Sequence, residues 1–138
     1  MLRKIESAMQ PEVHQLPPNA TIYRAAQLMK QKGCGCVVVT DKGKVRGIFT
    51  SGDMVTRVAA ERQNPATTTL AEVMTRKPDT VTRATLAIDA LRKMHDGHYR
   101  HLPVVEKGRL RGIISRRDFF GQELSIIEDE DHFSEVIR

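Results

Sequence analysis

The chain repeats itself at a constant offset of 65 residues, and this limits it to folds built from two similar halves. Met9 matches Met74, Ala25 matches Ala90, Met29 matches Met94 and Val39 matches Val104. Lys42-Gly43 matches Lys107-Gly108, and Arg46-Gly47-Ile48 matches Arg111-Gly112-Ile113. Thr50 matches Ser115 and Asp53 matches Asp118, with no gap anywhere. A single copy of about 60 residues would be marginal alone, whereas two copies can bury a shared core. We place the copies at residues 1–64 and 65–125, joined through the polar, proline-bearing stretch Gln63–Thr69, with residues 126–138 as a C-terminal tail.

Each copy reads the same way. A short apolar helix opens it, on Ile5, Ala8 and Met9 in the first copy and on Leu70, Val73 and Met74 in the second. An extended segment follows, near His14–Leu16 and Asp79–Thr82. Ile22, Ala25, Ala26 and Met29, and likewise Ala87, Ala90, Leu91 and Met94, then recur at i, i+3, i+4, i+7, which lines up one face of a helix. A β-hairpin comes next: Cys36–Thr40 with Val45–Thr50, and Leu102–Val105 with Leu110–Ser115, each around a Lys-Gly turn. A closing helix is expected on Met54, Val55, Val58 and Ala59, and on Phe119, Phe120, Leu124 and Ile127. The fold class is α+β.

The composition excludes several functions. Hydrophobic residues make up 40% of the chain, enough for a core, but no apolar run approaches the roughly 18–20 residues needed to span a bilayer. The start, Met1-Leu2-Arg3-Lys4-Ile5-Glu6, has no signal-peptide stretch, so a cytoplasmic location with no membrane partner is expected. Cys34 and Cys36 are too few for a disulfide framework or a four-ligand metal site, and read as small residues at a strand start. There is no nucleophile–base spacing and no GxxxxGK[ST] loop, and His101 has no visible partner, so no enzyme, no required cofactor and no metal are expected. The net charge of +5 suits anionic ligands.

The chemistry is expected where each hairpin ends. Gly47-Ile48-Phe49-Thr50-Ser51-Gly52-Asp53 and Gly112-Ile113-Ile114-Ser115-Arg116-Arg117-Asp118 share a glycine, two apolar residues, a hydroxyl, two free positions and an aspartate. A strand that turns into a helix there presents unpaired N–H groups to phosphate, and a carboxylate can accept two bonds from vicinal ribose hydroxyls. The same residues also suit a capping box, Thr50 with Asp53 and Ser115 with Asp118. Both readings stay open, and they are compatible.

The duplicated unit, the strand Leu102-Pro103-Val104-Val105 and the paired G-h-h-[ST]-x-x-D endings resemble the cystathionine β-synthase (CBS) domain family, from about Met9 to Leu124. The resemblance implies tandem CBS motifs (β-α-β-β-α), packed with pseudo-two-fold symmetry into one pair with two clefts. It also implies a regulatory ligand containing adenosine: AMP, ADP, ATP, S-adenosylmethionine or an NAD-type dinucleotide. By that resemblance Asp53 and Asp118 hold ribose, and Thr50 and Ser115 approach phosphate. Cys36-Val37-Val38 and His101-Leu102-Pro103 would wall the adenine, Val38 and Pro103 counting among the ligand-binding residues. Arg100, His101, Arg116 and Arg117 would neutralise phosphate, although solvated surface charge is the plainer reading of each. The first copy has Ser51-Gly52 where the second has Arg116-Arg117, so the second cleft is expected to bind more tightly.

Three functions compete. The first is an adenine-nucleotide sensor that changes conformation and acts on an effector protein still to be identified. The second is an oligomerisation or interaction module with degenerate clefts. The third is nucleic-acid binding through Lys42, Lys44, Arg46, Lys107, Arg109 and Arg111, disfavoured because stacking aromatics are scarce. A homodimer is expected through the closing helices, on Met54, Val58, Phe119 and Phe120. The acidic run Glu128–Asp131 with Phe133, Val136 and Ile137 reads either as a frayed end or as a docked short helix.

Overall fold

The computed structural model describes residues 2–137, with side chains described through Asp131. The elements follow the repeat. In the first copy a 3-10 turn (Ile5–Ser7) precedes β1 (Gln15–Leu16), α1 (Ile22–Lys32), β2 (Cys36–Asp41), β3 (Lys44–Thr50) and α2 (Ser51–Asp53), which runs into a π-helical stretch, Met54–Ala59. In the second, α3 (Leu70–Val73) and β4 (Thr75–Arg76) precede α4 (Ala87–Gly97), β5 (His101–Glu106), β6 (Arg109–Ser115), a 3-10 turn (Arg116–Asp118) and α5 (Gly121–Ile137).

The local sequence explains the main elements. Thr21 caps α1, its hydroxyl accepting from the Arg24 N–H at 3.1 Å, and Gly33 ends the helix with φ +62°. Ile22, Ala25 and Met29 are buried along α1, and Ala87, Ala90, Leu91 and Met94 along α4, as the spacing requires. Both hairpins close through two-residue turns with positive φ at both centres, Lys42 (53°) with Gly43 (79°) and Lys107 (51°) with Gly108 (76°). This turn geometry matches the twist of the flanking strands.

The chain forms two compact units, and these differ from the two sequence copies. One unit gathers the chain up to Pro11 with Thr80–Glu106 and everything from Arg111 onward. The other gathers Glu12–Asp79 and Lys107–Leu110. Each copy's opening segment therefore packs on the other copy's hairpin. In the first unit the Gln10 N–H donates to the Ile113 carbonyl at 2.8 Å and the Ile113 N–H donates back at 2.9 Å. In the second, β4 pairs antiparallel with β3, placing Thr75 opposite Ile48 and Arg76 opposite Gly47. The openers anchor through fully buried Ile5 and Leu70, residues of a size worth about 1.5–3 kcal/mol each on burial.

The second unit holds a four-stranded sheet in the order β1-β2-β3-β4, with β1 parallel to β2 and the rest antiparallel. Its core contains Leu16, Ile22, Met29, Val37, Val39 and Phe49, closed by Leu70 and Met74 of the opener. The first unit holds β5 and β6, with Val81 bridged in parallel to Val104. Its core contains Ile5, Leu91, Met94, Leu102 and Ile114.

Two expectations about the closing helices are corrected. Val58 and Phe119 are only 4% and 6% exposed, each packed in its own unit's core, and so are not free for a dimer contact. Val55 and Phe120 are the exposed pair, at 65% and 59%. The second closing helix is also interrupted. Phe119 is extended (φ −91°, ψ 149°), which ends the Arg116–Asp118 turn before α5 begins. Nor is the acidic run a frayed end. It continues α5, with Ile127 buried, Glu130 2.6 Å from Arg92 and Asp131 3.4 Å from His95. The side chains of Phe133, Val136 and Ile137 lie outside the described residues.

Candidate functional site

The residues singled out at the hairpin ends adopt the same backbone arrangement in both copies. β2 and β3 leave Thr50 opposite Cys36, and the Ser51 N–H donates to the Gly35 carbonyl at 2.9 Å. One repeat later the Arg116 N–H donates to the Arg100 carbonyl, also at 2.9 Å. Each hydroxyl residue therefore sits at the junction of a strand with a turn, beside the lead of the neighbouring strand.

The aspartates complete capping boxes. Asp53 Oδ2 accepts the Thr50 N–H at 2.9 Å, while Thr50 Oγ1 accepts the Asp53 N–H at 3.3 Å. Asp118 Oδ2 accepts the Ser115 N–H at 2.8 Å and the Ser115 hydroxyl at 3.2 Å. The capping reading is thus realised twice. It occupies one carboxylate oxygen and leaves the other, Oδ1, with acceptor capacity. Asp53 Oδ1 lies 3.6 Å from Arg57 Nε, and Asp118 Oδ1 accepts from Gln10 Nε2 at 3.3 Å.

The surroundings of the two aspartates differ in charge. At Asp118 the structure brings together Arg100, His101 and Arg117. Burial, then the Arg117 and Arg100 guanidiniums, hold the His101 imidazole below the ordinary histidine value, with Asp118 pulling the other way. Arg100 and Arg117 are exposed and Arg116 is half-buried. At Asp53 the corresponding lead is Cys34-Gly35-Cys36. Burial, with Cys34 and Asp53 adding to it, pushes the Cys36 thiol up, so it stays neutral and unreactive. Among the described residues no group of three or more His, Cys, Asp or Glu is placed to hold a metal.

Val38 is 0% exposed and Pro103 is buried. Their backbones are engaged too, the Val38 N–H with His14 and the Pro103 carbonyl with the Val81 N–H, both at 3.0 Å. The helix that was to attract phosphate at Ser115 is a three-residue turn, too short for an appreciable dipole, so attraction there falls to the arginines.

Sequence reasoning missed Gln10, Arg3 and Arg57. Arg3 donates to the Asp118 carbonyl at 3.2 Å and to Glu123 Oε1 at 2.5 Å, and its guanidinium lies 3.8 Å from the centre of the Phe120 ring. None of the three recurs at the 65-residue offset, where Thr75, Thr68 and Gln122 stand. The repeat therefore could not flag them.

Comparison with known proteins completes the picture. The CBS domain profile matches residues 3–60 and again 70–123. A CBS domain-containing protein of Arabidopsis thaliana is 38% identical over 100 residues, covering 72% of this chain. The chain spans only 18% of that protein's length. A conserved protein from Pyrococcus horikoshii superposes with a TM-score of 0.79 at 28% identity, covering 86% of this chain and 89% of that one. A CBS domain protein from Pyrobaculum aerophilum, solved in complex with AMP, shares the fold with a TM-score of 0.80 at 24% identity, covering 91% of this chain and 98% of that one.

Proposed function

The chain belongs to the CBS domain family, as a tandem pair of motifs, and from that premise we propose that it is a regulatory module that binds an adenosine-containing nucleotide and catalyses no reaction of its own. The observation that carries this reading is the hydroxyl–carboxylate device built at the same junction in both copies, with one oxygen of each aspartate not used in capping. Vicinal ribose hydroxyls would bond Asp53 Oδ1 or Asp118 Oδ1, and phosphate would meet Thr50 or Ser115. At the second site Arg100, Arg116 and Arg117 would add charge-assisted bonds, each of a kind worth roughly 1.5–3 kcal/mol before screening. The second site is accordingly the tighter one. Binding would shift a conformational equilibrium and act on an effector protein. The module would work in the cytoplasm as a homodimer. Among the described residues no helix is long and apolar enough to cross a membrane.

The test is calorimetry with AMP on Asp53→Asn and Asp118→Asn, changes that keep a capping acceptor and remove the charge. Loss of the tightest binding step in Asp118→Asn alone is the expected result. Loss in Asp53→Asn alone would reverse the assignment. No change in either would leave capping as the aspartates' whole role. Light scattering at micromolar protein checks the dimer, and a strictly monomeric mass would exclude it.

A further inference from the structure

The tips of the two hairpins meet in one unit, although they lie 65 residues apart in sequence, as Lys42 does from Lys107. The Leu110 N–H donates to the Gly43 carbonyl at 3.1 Å, and Arg109 Nη1 lies 3.4 Å from the Lys42 carbonyl oxygen. Gly43 lacks the side chain that would block this approach: a Cβ there would stand 2.7 Å from Arg109 Nη1. The edge strand β4 extends the same end, the Lys77 N–H donating to the Arg46 carbonyl at 3.3 Å. Lys42, Lys44, Arg46, Arg76, Lys77, Lys107 and Arg109 are all exposed. Within Asp41–Gly47 and Lys107–Leu110 the only carboxylate is Asp41. Read along the sequence these cations form two modest groups. The fold joins them into one field.

The chemistry of the patch selects its partner. The large hydrophobic side chains exposed among the described residues are Leu2, Tyr23, Val55, Phe120 and Ile126, none of them in the tips. A surface without apolar anchors is poorly suited to membrane insertion and lacks the buried centre of a protein interface. Without stacking aromatics it also lacks what single strands need. A dense array of fixed phosphates needs only cations, and duplex nucleic acid carries one negative charge per roughly 1.7 Å of axis. We propose that the joined hairpin tips form a docking surface for duplex nucleic acid, held through its phosphodiester backbone by Lys42, Lys44, Lys107 and Arg109. The contact is independent of base sequence.

The test uses the full chain and fluorescence anisotropy with labelled DNA and RNA duplexes of roughly 20 base pairs. Four phosphate contacts give a slope of log affinity against log salt of about −3.6, a loss of about 150-fold between roughly 50 and 200 mM salt. Lys44→Gln/Lys107→Gln/Arg109→Gln should lower the slope to about −0.9. The control Lys30→Gln/Lys32→Gln/Lys93→Gln has the same net charge and should bind as the parent does. If thermal unfolding shows that the patch variant fails to fold, the three single changes replace it, each removing about 0.9 from the slope. A preference for DNA or for RNA names the source of the same chemistry. The proposal is overturned by no duplex binding at the lowest salt, or by equal losses in the patch and control variants. It is also overturned if a single strand binds tighter than the duplex, or if polyglutamate or phosphatidylserine vesicles outcompete it.

Discussion

Replacing Gly47 with alanine tests the exchange of opening segments directly. The φ of Gly47 is not in the left-handed region, so its backbone tolerates alanine. On conformational grounds alone Gly47→Ala should stabilise the protein by about 0.4–1 kcal/mol, through reduced freedom of the unfolded chain. The packing predicts the opposite sign. A Cβ at this position would stand 2.9 Å from the Thr75 carbonyl oxygen and 2.8 Å from Met74 Cγ, with the Met74 sulfur closer still. The methionine can turn aside, but the carbonyl belongs to β4, whose residue Thr75 pairs with Ile48. Moving it away breaks the pairing that anchors the second copy's opener. Overpacking of this kind costs about 1–3 kcal/mol. Set against the backbone gain, a net loss of about 1–2 kcal/mol is expected, or about 3–6 °C in Tm for a chain of this length. Thermal unfolding followed by circular dichroism, with a urea series in parallel, reads this shift. Gly121→Ala is the reference, because nothing lies within 4 Å of a Cβ there. Gly112→Ala should lose stability as Gly47→Ala does, with the Gln10 carbonyl oxygen 2.8 Å away. A Gly47→Ala protein that melts at or above the parent temperature would refute the reasoning.

Arg3→Ala removes the bonds to Glu123 and to the Asp118 carbonyl, and the contact with Phe120. About 1–2 kcal/mol should be lost at neutral pH. Burial pushes the Glu123 carboxyl up, but hydrogen bonds from Arg3 and the Phe120 N–H win and hold it below the ordinary value. This contribution is complete above the unfolded glutamate pKa and fades as pH falls through the lower folded value. The Tm gap between parent and variant should therefore narrow below about pH 4, leaving the part due to the Asp118 carbonyl and Phe120, and a constant gap down to about pH 3 would count against the ion pair. For His101 the folded pKa lies below 6.5, so the folded state binds fewer protons than the unfolded one near that pH. Stability should be full above 6.5 and decline as pH falls below it, and His101→Gln should flatten the decline. An NMR titration midpoint for His101 at or above 6.5 would refute the burial and arginine effects together.

The sequence determined a great deal without help. Amphipathic spacing located α1 and α4 and the faces they bury, because a helix repeats its face every three to four residues whatever surrounds it. The Lys-Gly pairs located both turns, because φ above zero at two successive positions is a local demand. The hydroxyl–carboxylate endings were legible for the same reason, since a capping box spans only three residues. The 65-residue repeat revealed that the chain has two equivalent halves. It could not reveal which pieces pack together. Met9 and Met74, and Gly47 and Gly112, stood out only as matching letters. Their meaning is that each methionine-bearing opener crosses the glycine of the other copy's hairpin. Two copies with the same order of elements offer similar local partners, so pattern alone cannot choose between packing within a copy and exchange between copies. The roles of Arg3 and Gln10 at Asp118 and the meeting of the two basic tips share that cause. Each depends on groups brought together from distant parts of the chain, and only the tertiary packing of the exchanged segments decided where they meet.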